Sequence, residues 1–258
     1  MSLKFCFIGA GNLATHLSKA FYKKGYSISQ VYSRTESSAK TLADKLNTEY
    51  TVSVEEIKNA DVYFIAVKDS VIDEVLSQID FRNKLVIHCS GSLPLSKLSK
   101  YSANCGVLYP LQTFSKNREV DFNTIPIFIE SDLQENENLL KEIAIKVSNN
   151  VSIINSEKRK LLHISAVFAC NFVNHFYTIS SEILKSNDIT FDVLRPLILE
   201  TALKVQEIEP LEAQTGPAVR FDENIISSHL KELEGNKVYR ELYNSISKSI
   251  FDHHKKLG

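Results

Sequence analysis

A glycine-rich turn lies near the start of the chain, in the sequence FCFIGAGNLA. Gly9, Gly11 and Ala14 form a GxGxxA pattern that directly follows an apolar run and opens a helical one. Gly9 permits a tight turn, Gly11 lets the backbone approach a pyrophosphate, and the small Ala14 allows close packing of helix on strand. Unpaired N–H groups at the helix start would face the phosphates. The pattern favours a dinucleotide site over a glycine turn without a ligand, with these cofactor-binding residues: Gly9, Ala10, Gly11, Asn12 and Leu13.

The end of the next apolar run indicates which dinucleotide binds. Sites for NAD usually have Asp or Glu at this position to hold the ribose 2′-OH, whereas this chain has Ser33, Arg34 and Thr35. Arg34 could stack on adenine or pair with a 2′-phosphate through two hydrogen bonds. We therefore expect NADP(H) as the cofactor, with all three residues in its site. The alternative is that Glu36 reaches back to the ribose while Arg34 faces solvent.

Polar side chains follow three further apolar runs. The first run ends in Ala66, Val67 and Lys68, the second leads into HCSGS with Ser90 and Ser92, and the third ends in YP. The carboxyl ends of parallel strands meet at one edge of a sheet, where the ribose and nicotinamide of a dinucleotide pass. We therefore predict that Ala66, Val67, Lys68 and Ser90 bind the cofactor, that Ser90 also acts in catalysis, and that Ser92 orients a carboxylate or carbonyl substrate. A plain strand-to-helix turn is the alternative for both serines.

Further candidates lie in a long apolar helical pattern later in the chain. At roughly 100° per residue, His163, Cys170 and Asn174 fall within about 20° of one direction, and Asn171 lies about 80° away. Polar groups on such a helix must find partners or face a cleft. His163 is therefore a candidate general acid toward a substrate carbonyl, and Asn174 is a candidate substrate-binding residue. The alternative for His163 is a cap or a hydrogen bond across a domain interface.

A Gly-Pro break at Gly216-Pro217 interrupts the helical patterns that follow, and Arg220 and Asp222 come shortly after it. Arg220 could hold a substrate carboxylate through two hydrogen bonds. It is therefore a candidate substrate-binding residue. The alternative is an ion pair of Arg220 at a domain or dimer interface.

These residues require a sheet-and-helix framework followed by helices alone. Apolar runs typical of strands covered on both faces alternate with helical patterns through residue 155. The predicted strands are Lys4–Ile8, Ile28–Ser33, Val62–Val67, Leu85–His88, Gly106–Leu108, Ile125–Ile129 and Val151–Ile154. The predicted helices between them are Leu13–Lys24, Ser37–Leu46, Ser70–Gln78 and Gln134–Ser148. Only helical patterns follow, at Lys160–Lys185, Thr190–Ile208, Glu223–Leu233 and Val238–Lys255.

This order predicts an α/β fold: a doubly wound, mainly parallel sheet of the Rossmann type in residues 1–155, and an all-α C-terminal domain in residues 156–258. The 258 residues are 43% hydrophobic, which is enough apolar material for two cores. Because no low-complexity linker separates the two parts, we expect a tight interface with a cleft.

Charge and cysteine usage bear on the partners. The 30 basic and 31 acidic side chains leave a formal net charge of −1, which gives no field that would draw the chain to nucleic acid or a membrane surface. Four cysteines show no CxxC spacing, no His or Cys pattern is typical of a metal site, and no apolar window is long enough to cross a membrane. We expect a cytoplasmic protein with no metal and a small-molecule substrate.

The combination of GAGNLA, SRT, AVKDS, HCSGS and YPLQTF, with HISAVFACNF at 163–172 and TGPAVRFD at 215–222, resembles a bacterial family. Its members are NADP oxidoreductases of the coenzyme deazaflavin-dependent type with a C-terminal helical domain of unknown function. Their architecture is similar to that of ketopantoate reductase, pyrroline-carboxylate reductase and the hydroxyisobutyrate-type dehydrogenases. The resemblance implies an N-terminal NADP-binding domain, a helical domain that forms most of a homodimer interface, and an active site between the two domains.

Two positions depart from these relatives. Ketopantoate reductase and the hydroxyacid dehydrogenases carry, on a helix, a Lys four residues before an Asn, and the Lys exchanges a proton with the substrate oxygen. The resemblance makes Asn171 a catalytic candidate, but Val167 stands at the Lys position, so the lysine mechanism does not transfer. The family's usual His-Pro after the sixth strand is Tyr109-Pro110 here.

We predict an NADP(H)-dependent oxidoreductase that transfers a hydride to or from a small carbonyl, imine or second redox carrier. The alternative, which the missing Lys favours, is a dinucleotide-binding sensor or assembly protein of the same fold without turnover.

Overall fold

The computed structural model describes residues 3–81 and 83–255. The chain divides into two compact units, Met1–Asn171 and Phe172–Gly258. Every strand of the described chain lies in the first unit, and the described residues of the second unit form helices joined by turns and loops.

The first unit is built on a sheet that has eight strands in the described part of the chain. These are β1 (Lys4–Ile8), β2 (Ser27–Tyr32), β3 (Glu49–Thr51), β4 (Val62–Ile65), β5 (Leu85–His88), β6 (Cys105–Pro110), β7 (Ile127–Glu130) and β8 (Val151–Ile153). Their order is β3-β2-β1-β4-β5-β6-β7-β8, and β6 and β7 are the antiparallel pair among otherwise parallel neighbours. The first six strands have the order of a doubly wound dinucleotide-binding sheet, in which ligands bind at the carboxyl ends near β1 and β4.

Four helices of the described chain connect these strands: α1 (Asn12–Lys23), α2 (Glu36–Leu46), α3 (Ile72–Leu76) and α4 (Gln134–Ile145). The chain leaves α1 through Gly25, which has a φ of 86° and can adopt this left-handed conformation because it has no Cβ. Short 3₁₀ turns at Asp69–Val71, Leu95–Lys97 and Phe122–Thr124 complete the connections.

Apolar side chains cover both faces of the sheet. Strand β1 sends Phe5 and Phe7 into one buried cluster, where they contact Phe21 of α1. Cys6 and Ile8 enter the other cluster, on the side of α3. This alternation is the period of two that a strand imposes on its side chains, and it explains why the strand sequence is apolar throughout.

A long helix follows the sheet. It consists of α5 (Ser156–Ala166), a π-helical segment at Val167–Phe172, and α6 (Val173–Lys185), which follow one another without a break. It begins at Asn155, whose side chain accepts a hydrogen bond from the Lys158 N–H and so satisfies one of the free donors of the first turn.

The remaining helices of the described chain belong to the second unit. After a 3₁₀ turn at Phe191–Leu194 come α7 (Arg195–Glu207), α8 (Pro210–Ala213), α9 (Pro217–Arg220), α10 (Glu223–Glu232) and α11 (Lys237–Lys255). No helix in the part of the chain that the structure describes is long and apolar enough to cross a membrane.

The predicted fold class is confirmed, and each predicted strand is present within a few residues of its predicted bounds. Strand β3 was not predicted, because Glu49-Tyr50-Thr51 is too short to give an alternating pattern. The predicted domain boundary between residues 155 and 156 falls between β8 and α5, whereas the compact units divide at Asn171. The boundary near Ser156 therefore stays a prediction.

Candidate functional site

A pocket of about 270 Å³ opens at the carboxyl ends of β1, β2 and β4. The glycine turn after β1, the segment after β2 and the segment after β4 form its walls. Its lining residues are Gly9, Ala10, Gly11, Tyr32, Ser33, Arg34, Thr35, Ser38, Ala66, Val67, Lys68, Val71, Val75 and Lys116. All the residues predicted from sequence to bind the cofactor are in this lining except Asn12, Leu13 and Ser90.

The glycine turn has the geometry that its sequence requires. Gly9 has a φ of 122°, and a Cβ there would lie 2.3 Å from the Ala66 carbonyl oxygen. Its N–H donates to the Tyr32 carbonyl at 2.8 Å, so the turn is held between the ends of β2 and β4. A Cβ on Gly11 would meet no atom within 4 Å. The missing side chain of Gly11 therefore leaves open space in the pocket wall.

The N-terminus of α1 opens onto this pocket. Gly11 precedes the helix in an extended conformation and makes no side-chain cap, so donors of the first turn have no capping partner. The Asn12 side chain does not fill this role, because its amide donates to the Phe114 carbonyl at 2.8 Å. A free helix N-terminus beside a close-packed glycine turn is the arrangement that binds phosphate.

The charge of the pocket is positive. Arg34, Lys68 and Lys116 line it, and no Asp or Glu is among its lining residues. Glu36, the alternative ligand for a ribose hydroxyl, instead accepts a hydrogen bond from the Tyr50 hydroxyl at 3.2 Å. Three cations and a free helix end fit the phosphates of a dinucleotide better than they fit a neutral ligand.

Ser90 occupies the turn after β5 and is engaged within the protein. Its hydroxyl donates to the Asp69 carboxylate at 2.9 Å and accepts from the N–H groups of Ser92 (3.1 Å) and Leu93 (3.2 Å). These bonds fix the turn and join it to the segment after β4, which lines the pocket. The side chain of Ser92 is exposed.

His163 and Tyr109 form a hydrogen-bonded pair at the end of β6. The Tyr109 hydroxyl lies 3.0 Å from Nδ1 of His163, and the two rings meet edge to face. Gly91 lies against the imidazole, since a Cβ there would come within 2.7 Å of Cγ and Nδ1. Burial raises the pKa of Tyr109, with an opposing effect of the Arg159 charge, so this hydroxyl keeps its proton at neutral pH. The pair leaves Nε2 of the half-buried His163 for another partner.

A buried charged network lies beneath this pair. Arg159 of α5 is fully buried and pairs with Glu130 of β7, and its guanidinium also donates to the Leu93 carbonyl. Glu130 accepts from both the N–H and the hydroxyl of Ser156. Since removing one partner of a buried pair is strongly destabilising, these bonds fix α5, which carries His163, to the sheet.

The other predicted site residues on the long helix are displaced by its π-helical segment. The interval from His163 to Cys170 is two turns only in a regular α-helix, and i→i+5 bonding takes up roughly one residue more per turn. Two turns beyond His163 the helix reaches Asn171. Regular α-helical spacing therefore does not describe this interval, and Asn171 lies closer to the direction of His163 than that spacing implies. The shared direction of His163, Cys170 and Asn174 stays a prediction.

Asn174 and Arg220 lie in the second compact unit, and both are exposed. Arg220 is at the end of α9, and no ion pair of its side chain occurs among the described residues. The roles predicted for these two residues stay predictions. Among the residues that the structure describes, no group of three or more His, Cys, Asp and Glu side chains could hold a metal ion.

Sequence reasoning missed Lys116 as a pocket residue. It lies in the segment after β6, far along the chain from the other lining residues, and no motif marks it. Tyr109 belongs to the polar groups expected at the carboxyl ends of the strands, but the sequence assigned it no catalytic or binding role and did not predict its hydrogen bond to His163.

Two family models match the chain. Residues 4–91 match the model described as NADP oxidoreductase coenzyme F420-dependent, and residues 125–250 match a domain of unknown function, DUF2520. A curated pyrroline-5-carboxylate reductase from Pasteurella multocida (strain Pm70) is 34% identical over 102 residues, which are 36% of this chain and 37% of the reductase. The chain thus matches little more than a third of that relative's length.

Solved structures extend the similarity to the whole chain. A Bacteroides fragilis protein assigned as an NADP oxidoreductase is 48% identical, with a TM-score of 0.94 over 97% of this chain and 98% of its own. An imine reductase from Myxococcus stipitatus in complex with NADP+ has a TM-score of 0.69 at 16% identity, over 99% of this chain and 95% of its own. At that identity the second structure shows a shared fold.

Proposed function

This chain belongs to the family of the Bacteroides fragilis protein, and we propose that it is an NADP(H)-dependent oxidoreductase acting on a small carbonyl or imine compound or on a second redox carrier. The observation that carries the proposal is the pocket at the ends of β1, β2 and β4, where a free helix N-terminus meets three cations and no carboxylate. The similarity to NADP oxidoreductases supports the same function.

The residues present fit the phosphate groups of NADP(H). Gly9, Ala10 and Gly11 would hold the pyrophosphate with the N-terminus of α1. Ser33, Arg34 and Thr35 would hold the 2′-phosphate, because Arg34 offers two parallel donors and no carboxylate opposes the negative charge. Ala66, Val67 and Lys68 would follow the ribose toward the nicotinamide. Asn12, Leu13 and Ser90 are then neighbours of the cofactor site.

When bound, the nicotinamide supplies or accepts a hydride. His163 serves as the proton donor through Nε2, the ring nitrogen that Tyr109 does not bind. The proton leaves from Nε2 and Nδ1 keeps its own, so the Tyr109 hydroxyl can accept from the Nδ1–H and hold the ring in place before and after the transfer. The half-exposed ring regains its proton from solvent. The contact of Gly91 with the imidazole, and the bond of the neighbouring Ser90 to Asp69 in the segment after β4, support this role for His163.

The substrate we favour is a small molecule with a C=N or C=O bond. The local similarity to a pyrroline-5-carboxylate reductase, which reduces a cyclic imine, supports this class. Asn171, two turns from His163, would orient the substrate by hydrogen bonding, and Ser92 would bind its polar groups. Asn174 and Arg220 remain substrate-binding candidates from the sequence alone. The alternative redox partner is a deazaflavin, because the matching family model is described as coenzyme F420-dependent.

We also infer a homodimer through the helical unit. Helix α7 has no buried residue in the single chain, although it carries these apolar side chains: Leu197, Ile198, Leu199, Ala202, Leu203 and Val205. A helix with apolar residues on all sides is normally buried, and a second copy is the commonest partner for such a surface. The balanced charge of −1 is the reason why we expect neither nucleic acid nor a membrane surface as a partner.

A cytoplasmic location accords with the state of the thiols. Cys6, Cys89 and Cys105 are buried and unpaired. Burial raises the pKa of Cys6 and Cys89 to about 12, which keeps them protonated and unreactive.

The test begins with cofactor binding. Protein freed of nucleotide should bind NADPH with micromolar or better affinity and at least tenfold more tightly than NADH. NADPH oxidation is then followed with cyclic imines, 2-oxoacids and a deazaflavin. Turnover with any of them, lost in His163→Ala but kept in His253→Ala, supports the enzyme. The absence of binding would overturn the proposal, and binding without turnover across the panel would favour the sensor.

A further inference from the structure

The segment that follows β6 is fastened to helix α1. We call residues 112–119 the strap. The Asn12 amide donates to the Phe114 carbonyl at 2.8 Å, and Nε2 of His16 lies 2.9 Å from the Ser115 carbonyl oxygen. The His16 ring also stacks on Phe114, with centroids 5.3 Å apart. The strap is therefore held against the first turns of the helix whose N-terminus opens onto the pocket.

A second attachment holds the other end of the strap. Glu119 pairs with Lys19 of α1 at 3.4 Å. His16, whose ring makes the central contacts, is buried. The backbone between Ser115 and Glu119 is thus attached to α1 at both ends, chiefly by the buried His16 contacts and weakly by the exposed ion pair. Ligand binding by a side chain in this interval therefore costs less backbone freedom than binding by an unattached loop.

Lys116 occupies this interval and lines the dinucleotide pocket together with Arg34 and Lys68. The three come from three different segments, after β6, β2 and β4. In the part of the chain that the structure describes, no ion pair occupies the ammonium group of Lys116. Its charge is therefore free to act on an anion in the pocket.

We propose that Lys116 is a phosphate-binding residue of the dinucleotide site, supplied by the strap. The proposal rests on the function proposed above. It also gives a role to Asn12: by bonding the strap and leaving the helix uncapped, Asn12 positions Lys116 and keeps the N–H groups of α1 for the pyrophosphate. The alternative is a solvated lysine that happens to border the pocket.

The variant Lys116→Gln removes the charge and keeps a side chain of similar length. Binding of NADPH and NADH is measured by titration calorimetry on the full chain at constant ionic strength. Loss of a charge-assisted hydrogen bond should weaken binding roughly tenfold. Equal weakening for both nucleotides assigns the pyrophosphate, and weakening for NADPH alone assigns the 2′-phosphate. Either result supports the proposal.

Arg118→Gln is the matched control. Arg118 is an exposed cation on the same strap, and it is absent from the pocket lining. Its substitution tests the general effect of one charge less near the site, which should change the affinity less than twofold. Equal effects of the two variants, or no effect of Lys116→Gln, would overturn the proposal.

Titration of the unmodified protein with NADPH distinguishes a failure of this inference from a failure of the proposed function. If it fails to bind NADPH, the proposed function is wrong and the role of Lys116 falls with it. If it binds NADPH and the Lys116→Gln protein binds equally well, only the inference is wrong. Thermal unfolding of each variant, expected to be unchanged for these exposed positions, excludes misfolding as the cause of any loss.

Discussion

Gly91 packs against the imidazole of His163, which leaves no room for a side chain at position 91. A Cβ at this position would come within 2.7 Å of Cγ and Nδ1 of His163, so Gly91→Ala must move the imidazole away from its 3.0 Å hydrogen bond to Tyr109. We expect kcat to fall about tenfold to a hundredfold, since small misplacements of a catalytic group have effects of this order. NADPH affinity should be unchanged, because Gly91 is not in the pocket lining.

The control for this substitution is Gly235→Ala. A Cβ on Gly235 would meet no atom within 4 Å, and the residue is exposed, so kcat and NADPH affinity should both stay at their original values. Steady-state kinetics with calorimetric titration of NADPH measures the two quantities separately. A Gly91→Ala protein with full kcat would show that the orientation of His163 does not matter for the reaction.

The end of β5 carries a histidine whose titration links stability to pH. His88 is buried, and its pKa is lowered from 6.5 to about 3, first by burial, then by the charge of Arg159 on α5, against a smaller opposing effect of the Pro94 carbonyl. Its Nδ1 accepts from the Ser90 N–H at 3.2 Å. In the folded protein His88 therefore stays neutral at pH values where the unfolded chain binds a proton.

Because the folded pKa lies below the unfolded one, the contribution of His88 is fully present above pH 6.5 and is lost as the pH falls toward 3. This adds a slope of up to about 1.4 kcal/mol per pH unit to the free energy of unfolding. His88→Asn keeps an acceptor near the position of Nδ1 and should flatten the dependence between pH 6 and pH 4 by that amount, as measured by urea unfolding. His253→Asn, at an exposed position, should leave the slope as it is. An equal slope in His88→Asn and the original protein would contradict the assignment.

The strands and most of the pocket-lining residues could be predicted from sequence for a local reason. An apolar run such as Val62–Ile65 is buried on both faces, so its continuous hydrophobicity indicates a strand inside the sheet. The residues that follow such a strand must lie at the carboxyl edge of the sheet. The glycine pattern likewise depends on a few neighbouring residues. Nine of the residues that line the pocket after β1, β2 and β4 could be predicted from these local patterns.

Other features depend on contacts that no local pattern encodes. The π-helical segment at Val167–Phe172 contains the same residue types as the flanking α-helix, so the sequence predicts a regular spacing of about 100° per residue across it, and the interval from His163 to Cys170 does not follow that spacing. Lys116 enters the pocket only because its strap is bonded to α1. Both are tertiary effects, and they concern the residues closest to the chemistry.

The molecule as a whole is nearly neutral, yet its charges are not evenly distributed. The net charge is −1, while the lining of the dinucleotide pocket contains three cations and no acid. A pocket with low-dielectric walls concentrates such a field locally and attracts small anions, whereas a long polyanion would also meet the acidic remainder of the surface. The same composition is thus compatible with tight binding of a nucleotide and weak binding of nucleic acid.

The apolar surface of α7 predicts the state of assembly. In the single chain Leu197, Leu199 and Leu203 are 62%, 60% and 53% exposed, and Leu197 and Leu199 lie on opposite sides of the helix by their spacing. A partner must therefore enclose the helix. We expect a homodimer with twice the chain mass of 29.2 kDa, and an interface well above the roughly 1,200 Å² of a stable complex.

Leu197→Lys tests this assembly. An unpaired charge in the core of an interface is strongly unfavourable, so the variant should sediment as a monomer at micromolar concentration. Glu142→Lys, an exposed substitution on α4 of the first unit, introduces the same side chain and should remain a dimer. If the unmodified chain sediments as a monomer, or if Leu197→Lys remains dimeric and folded, then α7 is not the dimer interface, and its exposed leucines must be covered by a different partner.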